Sequence, residues 1–224
     1  MSVHDGHREK MRRRFLDTGL TGFADHEVLE LLLYYAIPRR DTNPIAHALM
    51  ERYGSLSAVL TAPAEDLQKV EGIGKSAAVL LQLAPLLVRR ARLAELEQER
   101  VVASPEQAGQ YLLERFRGEQ REVVYQLCLD RKGRLLVCKQ LGVGHIAATD
   151  MDVRAMVENA LMTHASAVIL SHNHPSGMAL PSDEDYAATR RAKTALATID
   201  VELVDHIIVA DNDFVSMAQS GYLA

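Results

Sequence analysis

The chain changes character near residue 101, and one layered domain does not accommodate both of its patterns. From residue 1 to about 100 the sequence carries helical signals throughout, whereas after Val101 short strand-like runs alternate with helical ones. A series of helices buries its apolar stripes helix on helix, while interleaved strands and helices call for a sheet with helices on its faces. The pattern predicts an α+β protein: an all-helical domain over 1–100, then a mixed-sheet α/β domain over 101–224. A length of 224 residues is enough for two cores of ordinary size.

In the first half, DHEVLELLLYYAI offers Asp25 as an N-cap and repeats apolar residues at helical spacing up to Pro38. NPIAHALMERYG has Asn43 as cap, Pro44 at the first helical position and Gly54 as a stop. SLSAVLTA and PAEDLQKV read as short helices. From Lys75 to Glu99 an Ala- and Leu-rich run is interrupted only by Pro85, which predicts a kink or a break there, because proline has no N–H to donate. Its polar tail, ELEQER, is the expected linker.

In the second half, SPEQAGQYLLERF opens with a capping-box pattern at Ser104. EVVYQLCLD and RLLVCKQLG read as strands joined by a hairpin at Arg131, Lys132 and Gly133. A short third strand, GHIAAT, is followed by the helix DVRAMVENALMTHA, the buried strand AVILSH, the helix SDEDYAATRRAKTALATI and a closing hairpin, VELVDHIIVADNDFVSMA. No internal repeat or low-complexity tract is present.

Composition narrows the class. Hydrophobic residues make up 48% and charged residues 25%, a folded rather than disordered profile. No apolar run approaches the roughly 20 residues needed to cross a bilayer, and the N-terminal MSVHDGHREKMRRRF lacks the apolar core of a secretory signal. A cytoplasmic protein with no membrane partner is expected. Cys128 and Cys138 lie in apolar runs without CxxC spacing and read as buried free thiols. The net charge is -5, yet HREKMRRR and Arg89, Arg90 and Arg92 form basic clusters. These suit either a local phosphate contact or solvated helix faces.

VEGIGKSAA sets Gly72 and Gly74 between two helical stretches. Gly74-Lys75-Ser76 matches the last three positions of a phosphate-binding P-loop, but the earlier glycine of that pattern would fall on Lys69 and no strand precedes the loop. A helix-hairpin-helix fits better, with two glycines around Ile73 and a small residue, Ala78, four further on. In proteins with that motif, turn amides and the next helix N-terminus hold a nucleic-acid phosphate without reading sequence. A non-specific DNA contact through Gly72, Gly74 and Lys75 stands beside a purely structural turn in which glycine supplies a positive φ.

The chemistry concentrates in SHNHPSGMALPSDED. His172 and His174, two apart at a strand end, share one face. Ser182 follows His174 by eight residues and Asp185 follows Ser182 by three. A carboxylate would complete a two-His, one-Asp zinc set with its fourth position free for water. Ser182-x-x-Asp185 is also a helix N-cap pattern. The two readings are compatible, because a cap puts Asp185 in the first helical turn, beside the loop that leaves His174.

His172-x-His174, seven residues, then Ser182-x-x-Asp185 resembles the JAMM motif of MPN-domain metalloproteases. HNHPSG with PSDED resembles the bacterial RadC family (UPF0758) in particular, over nearly the whole chain, since that family also carries an N-terminal helix-hairpin-helix domain. The resemblance implies a JAMM (MPN, cytidine-deaminase-like) fold and one zinc ion per chain on His172, His174 and Asp185. It further implies hydrolysis of a peptide or isopeptide amide in a peptide or protein substrate. A glutamate from an earlier strand is implied as acid/base, and Glu122, at the start of REVVYQLCLD, holds the matching place. Ser182 is implied as hydrogen-bond donor to the oxyanion. Without the resemblance, Glu122 reads as an ordinary strand-end residue.

LVDHIIVADNDFVSMAQSGYL resembles the family's C-terminal Asp-His strand, so Asp205 and His206 either orient the ligands or form a buried structural pair. One departure stands out: the family's Pro-Arg-Glu triplet is Val153-Arg154-Ala155 here, a change that bears on a substrate groove and leaves the zinc set untouched. Two other functions remain open. One is a DNA-binding repair accessory working through the helix-hairpin-helix; the other is a metal-dependent nuclease using the same zinc water on a phosphodiester.

Overall fold

A computed structural model describes residues 3–99, 102, 104–144, 152–175 and 177–223. The chain divides into two units, Met1–Val88 and Arg89–Ala224, each with its own core.

The first unit contains α1 (Val3–Thr18), α2 (Asp25–Leu33), α3 (Asn43–Tyr53), α4 (Leu56–Thr61), α5 (Ala64–Leu67) and the first part of α6 (Lys75–Glu99). Leu29, Leu33, Leu49, Val59, Leu67 and Leu81 are fully buried together at its centre. Two helix starts differ from the sequence expectation by one residue. Ala24 occupies the cap of α2 and its N–H donates to Glu27 Oε2 at 2.9 Å, so the acceptor comes from the third helical residue rather than from Asp25. Thr42 caps α3, and Asn43 instead donates its side-chain amide to the buried Glu30 at 2.9 Å. Gly54 ends α3 with φ 79°, as a left-handed cap requires.

The turn into α6 depends on Gly72. Its φ is +95°, and a Cβ there would lie 2.6 Å from Ile45 Cδ1. Ile73 is buried in the helical core, while Gly74, Lys75 and Ser76 are exposed at the start of α6. Pro85 does not break the helix, which runs unbroken from Lys75 to Glu99. The missing N–H removes one hydrogen bond, and good helix formers on both sides carry the helix past it.

Nor is ELEQER a free tether through Glu99. Leu93 is buried in the second unit's core, Arg89 donates to the carbonyls of Glu114 and Arg115, and the Tyr111 hydroxyl donates to Glu97 at 3.2 Å. The division between the units therefore falls inside α6, ahead of its polar tail.

The second unit continues with α7 (Pro105–Phe116), β1 (Val123–Leu129), β2 (Leu135–Val143), α8 (Val153–Met162), β3 (Ala167–Asn173), α9 (Asp183–Ala197), β4 (Glu202–Ala210) and β5 (Asp213–Ser216). The strands form one sheet in the order β2-β1-β3-β4-β5, parallel between β3 and β4 and antiparallel elsewhere. This is the mixed sheet that the alternating pattern requires. Of the expected strand GHIAAT, Gly144 lies in a bend and residues 145–149 are outside the described residues.

Side chains alternate between two packed layers. Tyr125, Leu127, Ile169 and Ile207 pack with Leu112 and Phe116 of α7. Cys128, Val168 and Leu170 pack with Met156 of α8 and Ala192 and Leu196 of α9. Every residue of β1 is buried, as a central strand covered on both faces demands. The approach of α7 to β5 needs Gly109, where a Cβ would come within 2.3 Å of the Phe214 ring. Both cysteines are free thiols, Cys128 buried and Cys138 partly buried, and they pack in opposite layers. Among the described residues no helix is long and apolar enough to cross a membrane.

Candidate metal centre

The site forms where the buried strand β3 reaches the rim of the sheet. His172 pairs in register with Val124 of β1 and Ile208 of β4, which fixes its height. The period of two puts His172 and His174 on the same face as Leu170, the face covered by α9. His174 lies just past the strand and stays aligned because its N–H donates to the Val209 carbonyl at 2.8 Å.

The third group arrives through a helix cap. Ser182 Oγ accepts from Asp185 N at 3.2 Å, while the Asp185 carboxylate accepts from Ser182 N and from Ser182 Oγ, each at 2.7 Å. The reciprocal pattern starts α9 and aims the carboxylate back toward β3.

His172 Nε2 lies 2.9 Å from His174 Nε2 and 3.0 Å from Asp185 Oδ1, and His174 Nε2 lies 3.6 Å from Asp185 Oδ2. A tetrahedron with bonds of about 2.0–2.1 Å has edges of roughly 3.3 Å, so these separations bracket what a zinc ion requires. Among the described residues this is the one group of three or more His, Cys, Asp or Glu that could hold a metal ion. The donor set, two imidazoles and one carboxylate, is also chemically suited to zinc.

The outer ring nitrogens are engaged away from the centre. His174 Nδ1 is 3.0 Å from the Met178 carbonyl. A carbonyl only accepts, so the Nδ1 of neutral His174 carries the proton and its Nε2 presents a lone pair to the site. His172 Nδ1 is 2.9 Å from His206 Nε2, and His206 Nδ1 is 2.6 Å from Thr189 Oγ1. The electrostatics match a cation site. Burial alone would raise the Asp185 carboxyl, but hydrogen bonds with His172 and His174 outweigh it and hold the group far below the usual carboxylate range. His174 is raised by its hydrogen bond with Asp185, against the effect of burial. Burial, then the neighbouring charge of His172, pushes His206 down to about 3, so it is neutral at physiological pH.

Glu122 sits immediately before β1. It stands two residues ahead of Val124, the partner of His172, and its negative charge is the last of the causes that raise His174. Asn173, between the two histidines, points the other way. Its Oδ1 accepts from Val123 N at 2.8 Å and its Nδ2 donates to the Arg121 carbonyl at 2.9 Å. Asn173 thus grips the backbone on both sides of Glu122. Nothing in the spacing of HNHPSG signals that role.

The Asp205-His206 pair divides its work. Asp205 is buried and accepts from Ser216 Oγ at 2.5 Å and Ala218 N at 3.0 Å, which ties the end of β5 to β4. His206 alone meets the histidine cluster. Thr189 was not legible as a site residue, although its place four positions after Asp185 on α9 puts both on one helix face. Ala155 lies in the first turn of α8, where its N–H donates to Asp152 at 2.9 Å, and the exposed Arg154 pairs with Glu158.

Comparison with known proteins agrees with this architecture. Residues 102–222 match the family model of the RadC-like JAB domain. The chain is 38% identical over 226 residues to a UPF0758 protein of Stenotrophomonas maltophilia (strain K279a), covering all of this chain and 97% of that one. It is 34% identical over 224 residues to UPF0758 proteins of Xanthomonas oryzae pv. oryzae (strain MAFF 311018) and Xanthomonas euvesicatoria pv. vesicatoria (strain 85-10), covering all of both chains in each case. The similarity thus spans the helical unit as well as the sheet unit.

Proposed function

The chain belongs to the RadC family, whose JAB domain is of a metal-dependent hydrolase-like kind, and from that premise we propose that it is a zinc-dependent metallopeptidase cleaving a peptide or isopeptide amide. The observation that carries this reading is the convergence of His172 Nε2, His174 Nε2 and the Asp185 carboxylate at 2.9–3.6 Å. Three protein ligands with a fourth position left over is the pattern of catalytic rather than structural zinc.

Zinc held by these residues would supply Lewis acidity and lower the pKa of a bound water from about 15.7 to about 7. The chain's own residues do the rest. Glu122, beside His174, takes the proton of the attacking water and returns it to the leaving amine. Ser182 donates to the oxyanion that develops on the attacked carbonyl, by turning its hydroxyl away from Asp185 Oδ2. Asn173 keeps Glu122 in place by holding Val123 N and the Arg121 carbonyl.

The test is hydrolysis of a peptide library by metal-loaded full-length protein beside Glu122→Gln. The variant is expected to retain zinc and lose about 10²–10⁴-fold in turnover, the usual worth of a general acid/base. Cleavage of a DNA phosphodiester in place of any amide would select the nuclease reading.

A DNA-contact role rests on a separate feature, the exposed Gly74, Lys75 and Ser76 at the start of α6. Its test is DNA binding at low salt that weakens as salt rises and in Lys75→Glu.

A further inference from the structure

The two imidazoles and the carboxylate are held by more than their own strands and helix. From His172 Nδ1 a chain of contacts runs to His206 Nε2 at 2.9 Å, from His206 Nδ1 to Thr189 Oγ1 at 2.6 Å, and from Thr189 Oγ1 to the backbone carbonyl of Asp185 at 2.6 Å. It starts on one member of the donor set and ends on another. Thr189 and His206 are both buried, which leaves the chain little competition from water. We infer that Thr189 and His206 are positioning residues: they close a hydrogen-bonded circuit between His172 on β3 and Asp185 on α9, and when metal is bound the circuit runs in one direction.

The direction follows from counting protons, and it rests on the reading of His172, His174 and Asp185 as ligands. His172 binds a metal through Nε2 only if that nitrogen offers its lone pair, so in the neutral ring the proton is on Nδ1. His206 Nε2 must then accept, which puts the proton of neutral His206 on its Nδ1. Thr189 Oγ1 therefore accepts from His206, and its own hydrogen goes to the Asp185 carbonyl, an atom that can only accept. The opposite polarity would point a proton from His172 Nε2 into the centre. Each contact carries one hydrogen, so a single ligand tautomer sets all three. A ligating imidazole held at its other nitrogen is the usual arrangement at zinc sites, and removing such a partner typically costs about 10–100-fold in metal affinity. Here the partner is a neutral histidine that is itself oriented by a threonine on the same helix as the carboxylate ligand.

The experiment uses full-length protein loaded with zinc and reads the imidazole nitrogens by 15N NMR, together with zinc affinity by competition with a chromophoric chelator. The expected spectrum has both His172 and His206 protonated at Nδ1. His206 protonated at Nε2 in the zinc-loaded protein would overturn the circuit. Thr189→Val, which keeps the volume and removes the hydroxyl, is expected to weaken zinc binding by about tenfold or more and to disturb the His206 signals, and Thr189→Ser to restore both. His206→Gln, which keeps an acceptor facing His172, should bind zinc more tightly than His206→Leu. Wild-type affinity in Thr189→Val and in His206→Leu would refute the circuit while leaving the hydrolase reading intact. Failure of the wild type to take up zinc would overturn both.

Discussion

Asn173 Oδ1 accepts a hydrogen bond from the Val123 amide at 2.8 Å, so one side chain of β3 takes the place of a ladder bond at the start of β1. Its Nδ2 holds the Arg121 carbonyl at 2.9 Å, and Glu122 lies between the two gripped residues. Asn173→Ala leaves two backbone groups without this partner. Because neither touches His172, His174 or Asp185, the variant is expected to keep its zinc and to lose turnover by about tenfold or more, with a stability loss of about 1–3 kcal/mol. Metal analysis beside kcat measurement checks this. Unchanged kcat would remove Asn173 from the positioning of Glu122.

One comparison separates the observed cap of Ser182 from its proposed role as oxyanion donor. As N-cap of α9 it contributes about 1 kcal/mol of stability, which Ser182→Ala loses and Ser182→Thr keeps. If it is also the proposed oxyanion donor, Ser182→Ala is expected to lose about 10²–10³-fold in kcat. Denaturation midpoints and kcat for both variants resolve the two. A stability loss in Ser182→Ala with kcat unaltered would leave Ser182 as a cap alone.

Gly72→Ala tests the turn before α6. The φ of +95° and the 2.6 Å approach of a Cβ to Ile45 Cδ1 both oppose a side chain. Strain and overpacking together are expected to cost about 2–4 kcal/mol in denaturant unfolding. Gly74→Ala meets nothing within 4 Å and should be much milder. Equal effects would refute the distinction drawn between the two glycines.

The thiols give a pH signature. Burial raises Cys128 above its ordinary value and pushes Cys138 up to about 11. With a pKa near 11, about one Cys138 in a thousand is thiolate at pH 8, so reaction with a disulfide reagent should be slow in the native protein and fast after unfolding. The unfolded chain loses these protons at lower pH than the folded chain does. For Cys138 the stabilisation from the protonated folded thiol is therefore complete below about pH 8.5 and is lost as pH rises toward 11. Rapid native labelling at pH 8 would contradict this.

The parts of the fold governed by local patterns were legible in the sequence. Apart from the expected strand GHIAAT, of which residues 145–149 lie outside the described residues, the strands and helices after Val101 follow the expected order, and the reciprocal cap of Ser182 and Asp185 followed from their spacing and residue types. Helix starts slipped by one residue at Ala24, where the acceptor is Glu27, and at Thr42, where the Asn43 side chain is engaged with Glu30 instead of capping. At Pro85 the helix continues where a kink or a break was expected, so the break is excluded: a single lost hydrogen bond does not outweigh strong helix formers on both sides. The site divides in the same way. His172 and His174 share the period of a strand, and Asp185 follows within 11 residues through the spacing of a helix cap. Asn173 and His206 act through contacts with residues from 17 to 52 positions away, and Thr189, although four residues after Asp185, meets His206 17 positions away, so only the folded register brings those groups together.

The proposed peptidase requires that His172, His174 and Asp185 hold one zinc ion. Its most direct test is a zinc titration of the full-length protein by competition with a chromophoric chelator, beside His174→Ala and Asp185→Ala. About one zinc per chain is expected for the wild type, with loss of that site in both variants. No uptake by the wild type, or the same uptake in the variants, would contradict it.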